Sequence, residues 1–325
     1  MANKYTSIGG QALIEGIMMK STEKTALAVR LPDKSIDISY LNGESIRQKY
    51  KILAIPIVRG VVGFVESMVQ GYKALSISAE KSGFADEENE KEKTEEDKKK
   101  ESRLMSVIMA IGGVLGVLLA VVLFMYLPRL CVDGIEWLIK DEITSKVLRS
   151  LIEQGLKLAI FVGYVMLVSL MKDIKRVYMY HGAEHKTIFC YEKGLDLTVE
   201  NVRKQKRFHP RCGTSFMILM ILISVILSTL LQIIFPSVYL VKWLWVLAKV
   251  LMIPFTCGIG FEVLKICGKY DNFLTRIISA PGMWLQRVTT KEPDDDMIEI
   301  AIAALKACEP SVPDVDRTGC CNDNI

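Results

Sequence analysis

Four stretches of this chain are apolar and long enough to cross a bilayer: Leu104 to Leu127, Ile152 to Met171, Phe216 to Phe235, and Tyr239 to about Leu264. Each reaches the roughly 20 residues that a helix needs to span the hydrocarbon core. In lipid a spanning segment must satisfy its own backbone, so these segments predict helices. The expected fold class is mainly α, a four-span helical membrane protein with a small cytosolic α+β portion. A composition half hydrophobic and a positive mean hydropathy of +0.28 fit that class better than a soluble domain. The net charge of +4 suits an anionic bilayer surface and makes no case for nucleic acid.

The loops set the orientation. Between the second and third spans lie Lys172, Lys175, Arg176, Lys186, Lys193, Arg203, Lys204, Lys206, Arg207 and Arg211; between the first and second lie Arg129, Lys140, Lys146 and Arg149. The excess predicts that the longer loop is cytosolic, and four spans then put both termini in the cytosol of a plasma-membrane protein. Pro236 ends the third span just before the fourth begins, so residues 215–264 should form a membrane hairpin. Pro254, Gly258 and Gly260 should interrupt its second arm. A broken helix also suits a transporter, but charges within the spans are few.

Residues 1–79 precede a charged segment. Leu27, Val29 and Leu31 alternate before Pro32-Asp33, and Ile36, Ile38 and Tyr40 alternate after it, the pattern of a β-hairpin. Val61, Phe64, Val65, Met68, Tyr72 and Leu75 then recur at helical spacing, an amphipathic helix that either packs on the hairpin or lies in the membrane interface. Residues 80–103 are almost all Glu, Asp, Lys and Ser and should be a disordered linker. The first two spans then occupy 104–171, the histidine loop 172–214, and a cytosolic tail 265–325. In the tail Asp294 to Asp296 should cap a helix that shows Met297, Ala301, Ala304, Leu305 and Cys308 on one face. The eight cysteines have no framework spacing and read as reduced thiols.

The chemistry concentrates in one loop. All three histidines, His181, His185 and His209, fall between the second and third spans. His181 and His185 share a helical face, with Glu184 beside it, in the inverted zinc-peptidase order His-x-x-Glu-His. The second span is expected to run on unbroken into this motif. Cys212 follows His209 by three residues. The candidate metal ligands are His181, His185, His209 and Cys212; two histidines with a third nitrogen or sulfur and an open position make a catalytic zinc type. Such donors favour zinc first and iron second. Glu184 is the candidate general base, although an acid beside two imidazoles can simply orient them. Glu15, in the glycine-flanked run Gly9-Gly10-Gln11-Ala12-Leu13-Ile14-Glu15-Gly16, is a second catalytic candidate if that loop docks on the histidines, and Gln11 would reach the site with it.

The runs Gly9 to Met19, His181 to Lys186, His209 to Phe216 and Gln286 to Pro293 resemble the YqhQ-like bacterial membrane family. That resemblance implies a bacterial plasma-membrane protein and a metal-dependent enzyme. The charged linker reads as an insertion relative to the family pattern. Two functional expectations stand together. One is a metal-dependent hydrolase in which Glu184 moves the proton of a water nucleophile. The other is a non-catalytic membrane scaffold or membrane-protein biogenesis factor, its basic face binding lipid or membrane-protein partners.

Overall fold

The fold, a computed structural model, is described for residues 6, 8–41, 46, 50, 53, 55–83, 107–108, 111–140, 146–270 and 272–309. The linker lies outside these residues from position 84 onward, as do Cys320 and Cys321. The chain forms two compact units, one of Met1–Ala85, Met166–Met220 and Pro254–Ile325, the other of Asp86–Val165 and Ile221–Ile253.

The first unit is built around an antiparallel sheet in the order β1 (Gly9–Leu13), β2 (Gly16–Lys20), β3 (Thr25–Arg30), β4 (Ile36–Tyr40). The expected hairpin is its β3–β4 half, with Ala28 opposite Ile38. Its turn is closed by Leu31 N–H donating to Ser35 O at 2.9 Å, with Lys34 at φ 70°. The other half is a correction. The glycine-flanked run is no loop but strands β1 and β2, turning at Ile14-Glu15 with Glu15 at φ 50°. Its glycines hid it, because glycine lowers apparent strand propensity. β2 and β3 are buried on both faces, so the alternation in β3 sorts large from small rather than inside from outside. Leu13, Met18 and Leu27 face helix α1 (Val58–Lys81), whereas Ile17, Met19, Ala26 and Ala28 pack with helices α4 (Lys172–Glu192) and α10 (Asp295–Cys308).

Helix α1 docks through its small residues. Gly60, Gly63, Gly71, Ala74 and Ser78 are buried, while Val65, Met68 and Tyr72 of the apolar stripe are more than half exposed. Of the two expected placements the sheet-packed one is seen, made by small side chains that let the helix approach β1 closely, with Leu75 of the stripe against the core. A Cβ at Gly71 would collide with the Gln11 amide, so Gln11 faces α1 and not the histidines. Helix α10 begins as expected: the Asp294 carboxylate accepts from Met297 N–H at 3.1 Å, and Met297, Ala301, Ala304, Leu305 and Cys308 are all buried.

Four helices are long and apolar enough to cross a membrane: α2 (Ile111–Ile139), α3, α6 and α8, with spanning segments Leu148–Val168, Gly213–Ile234 and Trp243–Cys267 in the last three. The full helices are α3 (Lys146–Val168), α6 (Gly213–Ile234) and α8 (Lys242–Lys269). Short helices α5 (Val199–Arg203) and α7 (Pro236–Leu240) fall in connections, and α9 (Phe273–Thr289) follows the last span. Three boundaries differ from expectation. Helix α2 continues past Leu127 through Pro128, with a π-helical stretch at Val122–Tyr126. This draws Arg129 into the helix, and Arg149 likewise belongs to α3. Helix α8 runs through Pro254 without a break. The second span ends at Val168, and Met171, extended at ψ 135°, opens α4 as a separate helix.

Candidate metal centre

Helix α4 carries the His-x-x-Glu-His motif and is buried from Tyr180 to Cys190 apart from its half-buried turns at His181 and Phe189. The segment after α9 lies against it: Lys291 N–H donates to Tyr178 O at 2.8 Å. Only glycine permits this approach at position 182, where a Cβ would strike the Lys291 carbonyl. The same segment sets the Thr289 carbonyl 2.9 Å from Nδ1 of His181. Nδ1 of His185 is 2.5 Å from the Arg207 carbonyl. A carbonyl only accepts, so both imidazoles donate from Nδ1 and keep a lone pair on Nε2. Nε2 of His181 points at Cys212 Sγ, 3.1 Å away, and the two imidazole rings stand 4.4 Å apart between centroids.

Cys212 opens α6, its carbonyl accepting from Phe216 N–H at 3.1 Å. Burial pushes its thiol pKa up, but the neighbouring His185 and the contacts with Thr214 more than offset this and leave it below the ordinary value. One donor atom from each of His181, His185 and Cys212 lies within 4.8 Å of the others. Two imidazoles held by carbonyls at their outer nitrogens, with a thiol inclined to ionise, are the donor set and outer-shell pattern of a zinc site. The residues present therefore fit a metal.

His209 is brought close but is not in that group. Its ring centroid lies 5.6 Å from that of His185. Its Nδ1 accepts from Arg211 N–H at 3.3 Å, and its Nε2 faces the Glu192 carboxylate at 3.6 Å. Of the four expected ligands, His181, His185 and Cys212 are thus brought into one group, and His209 stands beside it, facing Glu192. Burial lowers the pKa of His209, and the Arg211 charge adds to this against the pull of Glu192. Glu192 answers the other way. Burial opposes its ionisation, yet the His209 bond and the paired Arg211 hold its carboxyl below the usual value.

Glu184 lies beside the cluster against β1. A Cβ on Gly10 would sit 2.8 Å from its Cγ, and Gly10 N–H donates to its carboxylate. Burial raises its pKa to about 7, against the opposing pull of His181. Glu15 takes another place. Its oxygens are held by the Arg176 guanidinium, with Tyr180 Oη donating at 3.1 Å. That ion pair pins the β1–β2 turn to α4 and leaves Glu15 outside the histidine group. Burial and the Glu15 charge push the Tyr180 phenol up.

Gln286 is the residue that motif reading passed over. It is fully buried, and its amide accepts from His209 N–H at 2.8 Å and donates to His209 O at 2.7 Å and Ser215 Oγ at 2.9 Å. It clamps the turn that delivers Cys212. Its place in the run Gln286 to Pro293 was the available signal.

No solved structure matches this chain. It is 37% identical over 296 residues to "Uncharacterized protein YqhQ" of Bacillus subtilis (strain 168), covering 90% of this chain and 89% of that protein. The family described as "Protein of unknown function (DUF1385)" matches residues 55–311. A match over most of the sequence, spanning the histidine, cysteine and glutamine segments that build the cluster, shows that this chain belongs to the DUF1385, YqhQ-like family.

Proposed function

We propose that this is a multi-spanning protein of the bacterial plasma membrane, with its termini and histidine cluster cytosolic, that holds one zinc ion on His181, His185 and Cys212 and works as a metal-dependent hydrolase. The observation that carries this reading is the pair of Nδ1–H to carbonyl bonds that leaves two imidazole lone pairs beside a thiol. Iron is the second choice for the same donors. The boundaries of α2 and α3 support the orientation, since with Arg129 and Arg149 inside helices the connection at 140–147 keeps only Lys140 and Lys146.

His181, His185 and Cys212 would hold the zinc, and when bound it would supply Lewis acidity. The chain's own residues do the rest. Thr289 and Arg207 orient the imidazoles through their carbonyls. Glu184, poised near neutrality, accepts and returns a proton. Gly10 leaves room for that carboxyl against β1.

Metal analysis of the purified full chain should find one zinc per chain in wild type and none in His185→Ala. Glu184→Gln should keep its zinc and lose zinc-dependent hydrolysis of a panel of ester, phosphoester and peptide reporters. Wild type that stays metal-free in excess zinc overturns the reading. The burial of His185 and Cys212 favours a second reading, a closed structural zinc in a scaffold or biogenesis factor. Cobalt substitution separates the two, because azide shifts the visible spectrum only where a coordination position is open.

A further inference from the structure

The second unit contains a polar group of its own, independent of the histidine cluster. Ser150, Glu153, Gln154 and Lys157 follow one another at helical spacing on a single face of α3, an otherwise apolar span. Ser150, Glu153 and Gln154 are buried. From α8, Lys249 Nζ donates to Glu153 Oε1 at 2.8 Å and lies 5.2 Å from the centre of the Trp245 ring. Lys157 lies one turn beyond Glu153, within electrostatic reach of both Glu153 and Lys249. Arg149, one turn before Glu153, is taken by Asp133 and Glu136 of α2. Two ammonium groups thus share one carboxylate inside a span.

An unbalanced cation within an apolar bundle is costly, and an ionisable group there marks a site. A second observation points the same way. The side chain of Gln154 is almost wholly buried, and its amide oxygen has no hydrogen-bond partner among the described residues. An amide presents a donor or an acceptor by a simple flip. The geometry points to a binding site for a phosphate oxyanion, free or on an anionic lipid headgroup, between Lys157, Lys249 and Gln154. The oxyanion completes the charge balance, and its oxygens and attached hydroxyl meet the ammonium groups and the Gln154 amide.

The test uses the full chain in nanodiscs. In phosphatidylcholine discs, inorganic phosphate is titrated calorimetrically; in mixed phosphatidylcholine and phosphatidylglycerol discs, retained lipid is counted by native mass spectrometry. Binding of inorganic phosphate identifies the free ion, and retention of one phosphatidylglycerol identifies the lipid. Lys157→Gln should weaken whichever binding occurs about tenfold, the scale of one charge-assisted hydrogen bond. Its thermal unfolding without anion should be no lower than wild type. Gln154→Leu, which removes the amide without touching charge, should weaken binding as well. Lys140→Gln, an exposed cation outside the group, should leave it unchanged. Absence of both binding modes in wild type, equal binding by Lys157→Gln, or an equal loss in Lys140→Gln overturns the site.

Discussion

The two units bury polar side chains by different means. In the first, buried or half-buried cations and imidazoles end on backbone carbonyls: His181 on Thr289, His185 on Arg207, Lys186 on Arg203 and Arg211 on Thr6. Those carbonyls are free because they sit at helix ends or in connections. Among the described residues of the second unit the backbone is nearly all helical and uses its carbonyls within the helix, where hydroxyls such as those of Ser228 and Thr229 share them. Charged groups there must balance one another, as Lys249 and Glu153 do. Where loop backbone is at hand a fold can set an imidazole's tautomer; where it is absent, the count of charges decides.

The sharpest way to break this contrast is to remove a partner on each side. Glu153→Ala should cost about 3–5 kcal/mol in denaturant unfolding, since it strands two ammonium groups in a span; a cost below about 1 kcal/mol would mean that those lysines are already satisfied elsewhere. Glu192→Ala should cost about 3 kcal/mol, the low end for a buried pair, because Arg211 is partly exposed. The pH dependence follows from the depressed value of Glu192. Its contribution is complete well above the ordinary carboxyl value of 4.5 and is lost as pH falls through the lower folded value. Unfolding titrations from pH 6 to pH 3 should therefore show an acid loss, at about pH 4 and below, that Glu192→Ala lacks.

Gln286→Ala should cost about 1–3 kcal/mol and weaken zinc about ten- to hundredfold, as loss of an outer-shell partner does. Unchanged zinc affinity would show that the Cys212 turn holds without its clamp. Gly10→Ala should cost about 1–3 kcal/mol by overpacking against Glu184, measured by thermal unfolding beside Gly9→Ala, where a Cβ meets nothing within 4 Å. The smallest effect belongs to Arg203→Ala. Its pair with Asp295 is more than half exposed on both sides, so the loss in thermal unfolding should be the smallest of the set and shrink with salt.

The four spans, the β3–β4 hairpin and the capped helix α10 were legible because each rests on local periodicity or a local hydrogen bond. The pairing of β1 with β2 was not, since Gly10 and Gly16 sit where a Cβ would meet Glu184 and the Ala28 carbonyl, a tertiary demand rather than a strand propensity. Which part of α1 makes the contact was not legible for a similar reason: close approach selected glycine and alanine over most of the larger stripe.

Sequence by itself determined that this chain has four segments long and apolar enough to cross a membrane and that its imidazoles and a thiol occupy one connection, because hydropathy over 20 residues and the His-x-x-Glu-His spacing are properties of neighbouring residues. Only the tertiary structure decided that Cys212 stands with His181 and His185 while His209 faces Glu192, and that Glu15 belongs to Arg176. Those outcomes turn on the Thr289 and Arg207 carbonyls, Glu192 and Gln286, groups tens of residues or more from the ones they direct, and no periodicity encodes which of them arrives first at a given nitrogen.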